Sequence, residues 1–117
     1  MVQGWGGIGD LKHTLITDYE LAIVCHKGKC RLLGKREGSV WSCRKVNPNK
    51  MLHATQKPID LLVRMTEKYT DRNTVVFDPF MGSGSTCVAA VNSGRHYIGF
   101  EIDEKYFEIA QKRLSEV

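Results

Sequence analysis

Apolar positions along the 117-residue chain fall into two periods. Short runs of β-branched and aromatic residues mark strands: Val75-Val76-Phe77, closed by Asp78-Pro79, and His96-Tyr97-Ile98-Gly99-Phe100. Leu21-Ala22-Ile23-Val24 predicts a further buried strand over residues 19–26, with Leu15 and Ile16 as its hairpin partner and Thr17-Asp18 in the turn. Elsewhere the spacing is helical. Ile59, Leu62, Val63, Thr66 and Tyr69 form a core stripe behind Pro58, which suits a first helical position, and Asp60, which complements the helix dipole. A small-residue helix runs from Ser85 to Asn92 and stops at Gly94. A last helix is capped by Asp103, buries Tyr106, Phe107, Ala110 and Leu114, and carries Lys112 and Arg113 in its final turn. Residues 1–9, glycine-rich around Trp5, read as loop.

The chain is organised around TVVFDPFMGSGST, residues 74–86, where a buried strand breaks through Gly82-Ser83-Gly84 into a helix. Glycines let backbone approach a ligand closely, and the free N–H groups of the new helix favour a carboxylate or phosphate. The dinucleotide fingerprint is incomplete, because Cys87 holds the third glycine position. Glu101 follows the second strand, about 20 residues beyond the turn, where an acid accepts hydrogen bonds from a ribose diol. Carboxylate capture at the helix and ribose capture at Glu101 suit an adenosyl cofactor with an amino-acid tail. A βαβ unit with an incidental acid has the same outline.

DPFMGSGST, GRHYIGFEID and YFEIAQKRL, preceded by HATQKP, resemble the cofactor half of the DNA amino-methyltransferases. These use S-adenosylmethionine to methylate adenine N6 or cytosine N4. The resemblance is to the family's circularly ordered β group, whose HPTQKP segment has proline where Ala54 stands here, and it weakens to DYELAIVCHKGK upstream. It implies that Thr55, Gln56 and Lys57 lie beside the methionine end, with Gly82, Ser83 and Gly84 turning around it. Asp78, ahead of Pro79, would meet the ammonium group, and Phe80 would pack on the apolar surface. Backbone N–H groups near Ser85 and Thr86 would face the carboxylate. Glu101 would hold the ribose, and Ile102 would lie against the adenine. The family's amine-activating (D/N/S)-P-P-(Y/F) tetrapeptide does not occur in the sequence, and Asp78-Pro79-Phe80 belongs to the glycine motif. No catalytic residue is therefore assigned.

Charge adds a partner. Residues 26–57 hold nine lysines and arginines against one acid, Glu37, for a net +8, while the remainder carries eight basic and twelve acidic residues, net −4. That concentration is the footprint of a polyanion. With the resemblance, double-stranded DNA is expected at Lys27, Lys29, Arg31, Lys35, Arg36, Arg44 and Lys45, mainly through phosphates. A solvated basic loop is the plain alternative. Cys25, Cys30, Cys43 and Cys87 miss the C-x2-C spacing of a zinc knuckle, so they read as buried or idle thiols and no metal is expected. No membrane-spanning run or signal peptide is evident, and a cytoplasmic, bacterial or phage context is expected.

The expected architecture is α/β, a partial Rossmann-like class I methyltransferase sheet holding strands 1 and 2 and the 6–7 hairpin. By the resemblance, central strands 4 and 5 are missing. Residues 1–26 would form the hairpin, 27–57 the basic loop ending in TQKP, and 58–117 the cofactor-binding αβαβα unit. The chain then reads as the C-terminal part of a methyltransferase, needing a complementary N-terminal fragment or a homo-oligomer. A non-catalytic cofactor- or DNA-binding remnant remains open, and more distantly a nicotinamide-dependent oxidoreductase.

Overall fold

Residues 19–53 and 56–117 are described by the computed structural model. Two short strands, β1 (Val75–Asp78) and β2 (His96–Gly99), pair in parallel with Val75 opposite His96 and Asp78 opposite Gly99. Parallel strands need a crossover rather than a tight turn, and α2 (Ser85–Asn92) provides it. Ser85, Cys87, Val88, Ala89 and Ala90 are all buried. Small side chains let this helix lie close to both strands. At its end Gly94, with φ of 73°, donates to the Val91 carbonyl at 2.9 Å, and Arg95 N–H donates to Ala90 at 2.8 Å. This is a Schellman closure, which satisfies the last carbonyls of the helix.

The flanking helices are α1 (Ile59–Tyr69) and α3 (Glu104–Ser115), both packed on α2. Pro58, expected at the first helical position, is instead the N-cap, one residue before Ile59, and its carbonyl accepts from Leu62 N–H at 3.3 Å. The α1 stripe is shallower than its periodicity implies: Thr66 is buried, whereas Ile59, Leu62, Val63 and Tyr69 are half-buried. Asp103 caps α3 as expected, accepting from Tyr106 N–H at 3.1 Å. Ala110 joins Met81 and Cys87 in a small core, with Leu114 against it. Phe107 remains at the rim.

Arg95 is buried, and its guanidinium reaches two helix ends at once. It donates to the Thr70 carbonyl at 2.6 Å after α1, to Thr70 Oγ1 at 3.2 Å, and to the Ser93 carbonyl after α2. A cation here meets the negative ends of two helix dipoles.

Two expected burials are corrected. Val75 and Phe77 on β1 are exposed, Phe77 by 60%. α2 covers the sheet face carrying Val76 and Gly99, and no described element covers the face shared by Val75, Phe77 and Ile98. There the Phe77 ring meets Phe100 edge-on, with centroids 6.0 Å apart. Residues 19–26, expected as a buried strand, form no strand among the described residues, and Ile23 is 90% exposed. β-propensity makes a strand only where a second backbone supplies the ladder. The hairpin partner at Leu15 and Ile16, the Thr17-Asp18 turn and the loop around Trp5 lie outside the described residues. Among the described residues no helix is long and apolar enough to cross a membrane.

Candidate functional site

The glycine turn is held from both sides. Asp78 ends β1, and its Oδ1 accepts from Phe80 N–H at 3.1 Å, turning the chain away from the sheet. Phe100 N–H donates to the Asp78 carbonyl at 3.0 Å, and Met81 N–H donates to the Phe100 carbonyl at 2.9 Å, so the turn is stitched to the exit of β2. Gly84 N–H donates to Met81 at 2.8 Å and closes the loop. Gly82 and Gly84 have φ of 52° and 77°, the left-handed region that disfavours side chains. Space is short as well: a Cβ on Gly84 would lie 3.0 Å from the Ala110 Cβ, and one on Gly82 would lie 3.4 Å from the His53 ring. Ser85 then opens α2, whose first-turn N–H groups have no intrahelical carbonyl to meet.

Glu101 joins the two halves of the motif. Its Oε2 accepts from Gly82 N–H at 2.8 Å and its Oε1 from Asp103 N–H at 2.9 Å. The Asp103 N–H, with those of Gly82 and Ile102, holds its carboxyl below the usual range against an opposing desolvation penalty. An ionised carboxylate has about four acceptor positions, so these bonds leave room for a diol.

The sequence marks Arg113 only as a dipole-complementing cation. Its Nη1 instead donates to the Ser83 carbonyl, to Ser83 Oγ at 3.1 Å and to Ser85 Oγ at 3.3 Å, so α3 grips the turn from behind. Partial burial lowers its pKa. No local pattern announces this contact, because its partners lie 28 and 30 residues away.

In front of the turn lies a cleft of about 190 Å³. It brings together Gln56, Lys57, Asp78, Phe80, Gly82, Ser83, Ser85 and Thr86 from the expected set, with His53, Leu62 and Met81 beside them. The His53 ring packs on Tyr106 of α3, with centroids 4.2 Å apart. Gln56 Oε1 accepts from Leu52 N–H at 2.9 Å, and Lys57 Nζ pairs with Glu20 at 2.9 Å. Pro79 and Gly84 belong to the same loop but do not line the cleft; Glu101 is tied to its rim through Gly82. Phe80 and Ile102 are both strongly exposed. Thr55 lies outside the described residues.

The basic stretch presents Lys27, Lys29, Arg31, Lys35, Arg36, Arg44 and Lys45 to solvent, all of them exposed. Cys25 and Cys30 are exposed thiols, Cys43 is half-buried and Cys87 buried. Among the described residues no group of three or more His, Cys, Asp or Glu is placed to hold a metal.

Comparison with known proteins gives a coherent set of relatives. The DNA methylase family N6_N4_Mtase matches residues 15–112. The type II methyltransferase M.HinfI of Haemophilus influenzae is 42% identical over 91 residues, covering 71% of this chain and 25% of its own. M.BglII of Bacillus subtilis is 41% identical over 86 residues, covering 71% and 24%. The crystal structure of the M1.HpyAVI–SAM complex superposes with a TM-score of 0.61 at 35% identity, over 71% of this chain and 43% of that one. The chain thus spans about a quarter of the length of these two curated relatives.

Proposed function

Because the chain belongs to the DNA methylase family, we propose that it forms the S-adenosylmethionine-binding half of an enzyme that methylates an exocyclic amine of a DNA base, adenine N6 or cytosine N4. One observation carries the reading. The Glu101 carboxylate after β2 is hydrogen-bonded to Gly82 in the turn that opens the cleft. A single acid therefore joins the expected ribose position to the expected amino-acid position.

The residues present fit such a cofactor. A cleft of about 190 Å³ falls below the roughly 300–1,000 Å³ of complete small-molecule pockets. It suits the amino-acid end, and the nucleoside would rest on the open rim at Glu101 and Ile102. Asp78 would accept from the ammonium group. The first-turn N–H groups at Ser85 and Thr86 would face the carboxylate, with the α2 dipole behind them. Gly82, Ser83 and Gly84 would let backbone approach closely, and the remaining lone pairs of Glu101 would accept from the ribose diol. Phe80 and Ile102 would give up exposed apolar surface to the ligand. Gln56 and Lys57, with Thr55, would border the methionine side, the Lys57 charge being partly met by Glu20.

When bound, the cofactor supplies an electrophilic methyl group on a sulfonium. This chain's residues bind, orient and shield it, and such positioning is a large part of catalysis at a weakly basic amine. The groups that accept hydrogen bonds from the amine, and the central strands beside β1, would come from a complementary segment or a second copy. The isolated chain would then bind cofactor without turnover. The exposed basic residues from Lys27 to Lys45 would lie along duplex phosphates, in the cytoplasm where genomic DNA is available.

Calorimetric titration with S-adenosylhomocysteine tests the reading. Binding that Glu101→Ala and Phe80→Ala each weaken is expected. A chain folded by circular dichroism that binds nothing refutes it.

A further inference from the structure

The single acid of the basic stretch is not a stray charge. Glu37 Oε2 accepts from Arg64 Nε at 3.0 Å and also from Arg64 Nη2, while its Oε1 lies 3.6 Å from Lys68 Nζ. Arg64 and Lys68 stand one helical turn apart on α1, so one carboxylate separates two cations that would otherwise repel. The backbone joins in. Lys68, buried to 8% exposure, donates to the Lys35 carbonyl, and Leu33 N–H donates to the Lys68 carbonyl at 3.0 Å. The Arg64 guanidinium stacks 4.5 Å above the Trp41 ring, and Trp41 Nε1 donates to the Gly38 carbonyl at 2.8 Å. Residues 33–41 are thus fastened along α1, and Lys35 and Arg36 project outward from the fastened segment. The Arg64 hydrogen bonds lower the Glu37 carboxyl below its usual range, so the ion pair persists further into acid than a free glutamate's charge would.

We propose that Glu37 is a positioning residue for the polyanion surface: by clamping residues 33–41 to Arg64 and Lys68 it holds the neighbouring basic side chains in one fixed array that matches duplex phosphates. The inference rests on the DNA reading above and adds to it that the array is built rather than merely charged. Phosphate contacts fix register, and a preorganised array loses less conformational entropy on binding than a loose one.

Charge and position make opposite forecasts for Glu37→Gln. Removing an acid adds one positive charge and should tighten duplex binding if net charge alone governs it. Loss of the clamp should weaken it. Arg64→Lys is the companion variant, since it keeps the charge but loses the planar fork and the stack on Trp41.

The test uses the whole 117-residue chain, a fluorescent DNA duplex read by anisotropy, and trypsin cleavage after Lys35 and Arg36 as a readout independent of DNA. Both variants should be cleaved several-fold faster and should bind the duplex about ten-fold more weakly, while S-adenosylhomocysteine affinity stays unchanged. Unchanged cleavage overturns the clamp. Duplex binding that is unchanged or tighter in Glu37→Gln overturns the positioning role, whatever the cleavage rate. Lys45→Gln separates the two levels. If it weakens binding while Glu37→Gln does not, only this inference falls; if the wild-type chain does not bind the duplex, the DNA reading falls with it.

Discussion

Replacing Gly84 by alanine puts the glycine turn to a quantitative test. Gly84 has φ of 77° and ψ of 20°, a left-handed conformation costing an L-residue about 1–2 kcal/mol. The new methyl would lie 3.0 Å from the Ala110 Cβ and 3.4 Å from its Cα, so α3 must retreat by a few tenths of an ångström. Such overpacking costs about 1–3 kcal/mol. The two together give about 2–5 kcal/mol, a large share of the ~5–15 kcal/mol that holds an ordinary domain folded. Ala110→Gly removes the steric partner but not the backbone strain, and alone it costs about 0.5–1 kcal/mol because glycine weakens a helix interior. Urea unfolding followed by far-UV circular dichroism should find Gly84→Ala destabilised by that amount. The double variant should be less destabilised than the sum of the singles by about 1 kcal/mol or more. Additivity within ~0.5 kcal/mol would show that α3 does not press on the turn, and a neutral Gly84→Ala would refute the conformational argument as well.

Three further outcomes follow from the same geometry. The folded-state pKa of Glu101 is depressed, so its ties to Gly82 and Asp103 are fully present above the unfolded value near 4.5 and are lost as pH falls through the lower folded value; the acid side of the wild-type stability profile should slope more steeply than that of Glu101→Gln, and superimposable profiles would reject the tie. Burial, with the Asp78 charge nearby, raises the Cys87 thiol to about 11, leaving only about one thiolate in a thousand at pH 8. Iodoacetamide should therefore label exposed Cys25 and Cys30 in the native chain and reach Cys87 only after denaturation, as peptide mass mapping would read. Arg95→Met strands the Thr70 and Ser93 carbonyls, which Arg95 serves from a buried position, and should cost about 2–4 kcal/mol; a melting temperature within error of wild type would dismiss that clasp.

The local devices around the glycine turn are readable because their causes are local. The run at Val75–Asp78, the glycines at 82 and 84, the cap at Asp103 and the stop at Gly94 each act within a few residues, and the structure places them as the pattern implies. Burial was less readable, since it depends on what covers a face: Phe77 sits in the predicted strand yet is exposed. Residues 19–26 mark the same limit, having strand composition without a strand. Long-range polar contacts left no signal at all. Arg113 on the glycine turn, Arg95 between two helix ends and Glu37 between Arg64 and Lys68 all look like ordinary surface charges in one dimension. Of the expected cofactor residues in the strand–turn–helix order, Asp78, Phe80, Gly82, Ser83, Ser85 and Thr86 meet in one cleft, whereas Pro79 and Gly84 do not line it and Ile102 stands on the open surface.

Among the described residues β1 has a strand neighbour on one side only, and the Phe77 face of the sheet is bare. An unpaired edge beside apolar surface is adhesive toward its own kind. The formal surplus of +4 on each chain opposes such association. At 0.15 M salt, repulsion of that sort reaches only about 8 Å. Ionic strength therefore works in two directions at once: the salt that would loosen a polyanion from the basic loop also lowers the barrier to self-association. Dilute, low-salt handling favours dispersed chains, and a high-salt wash invites them to clump.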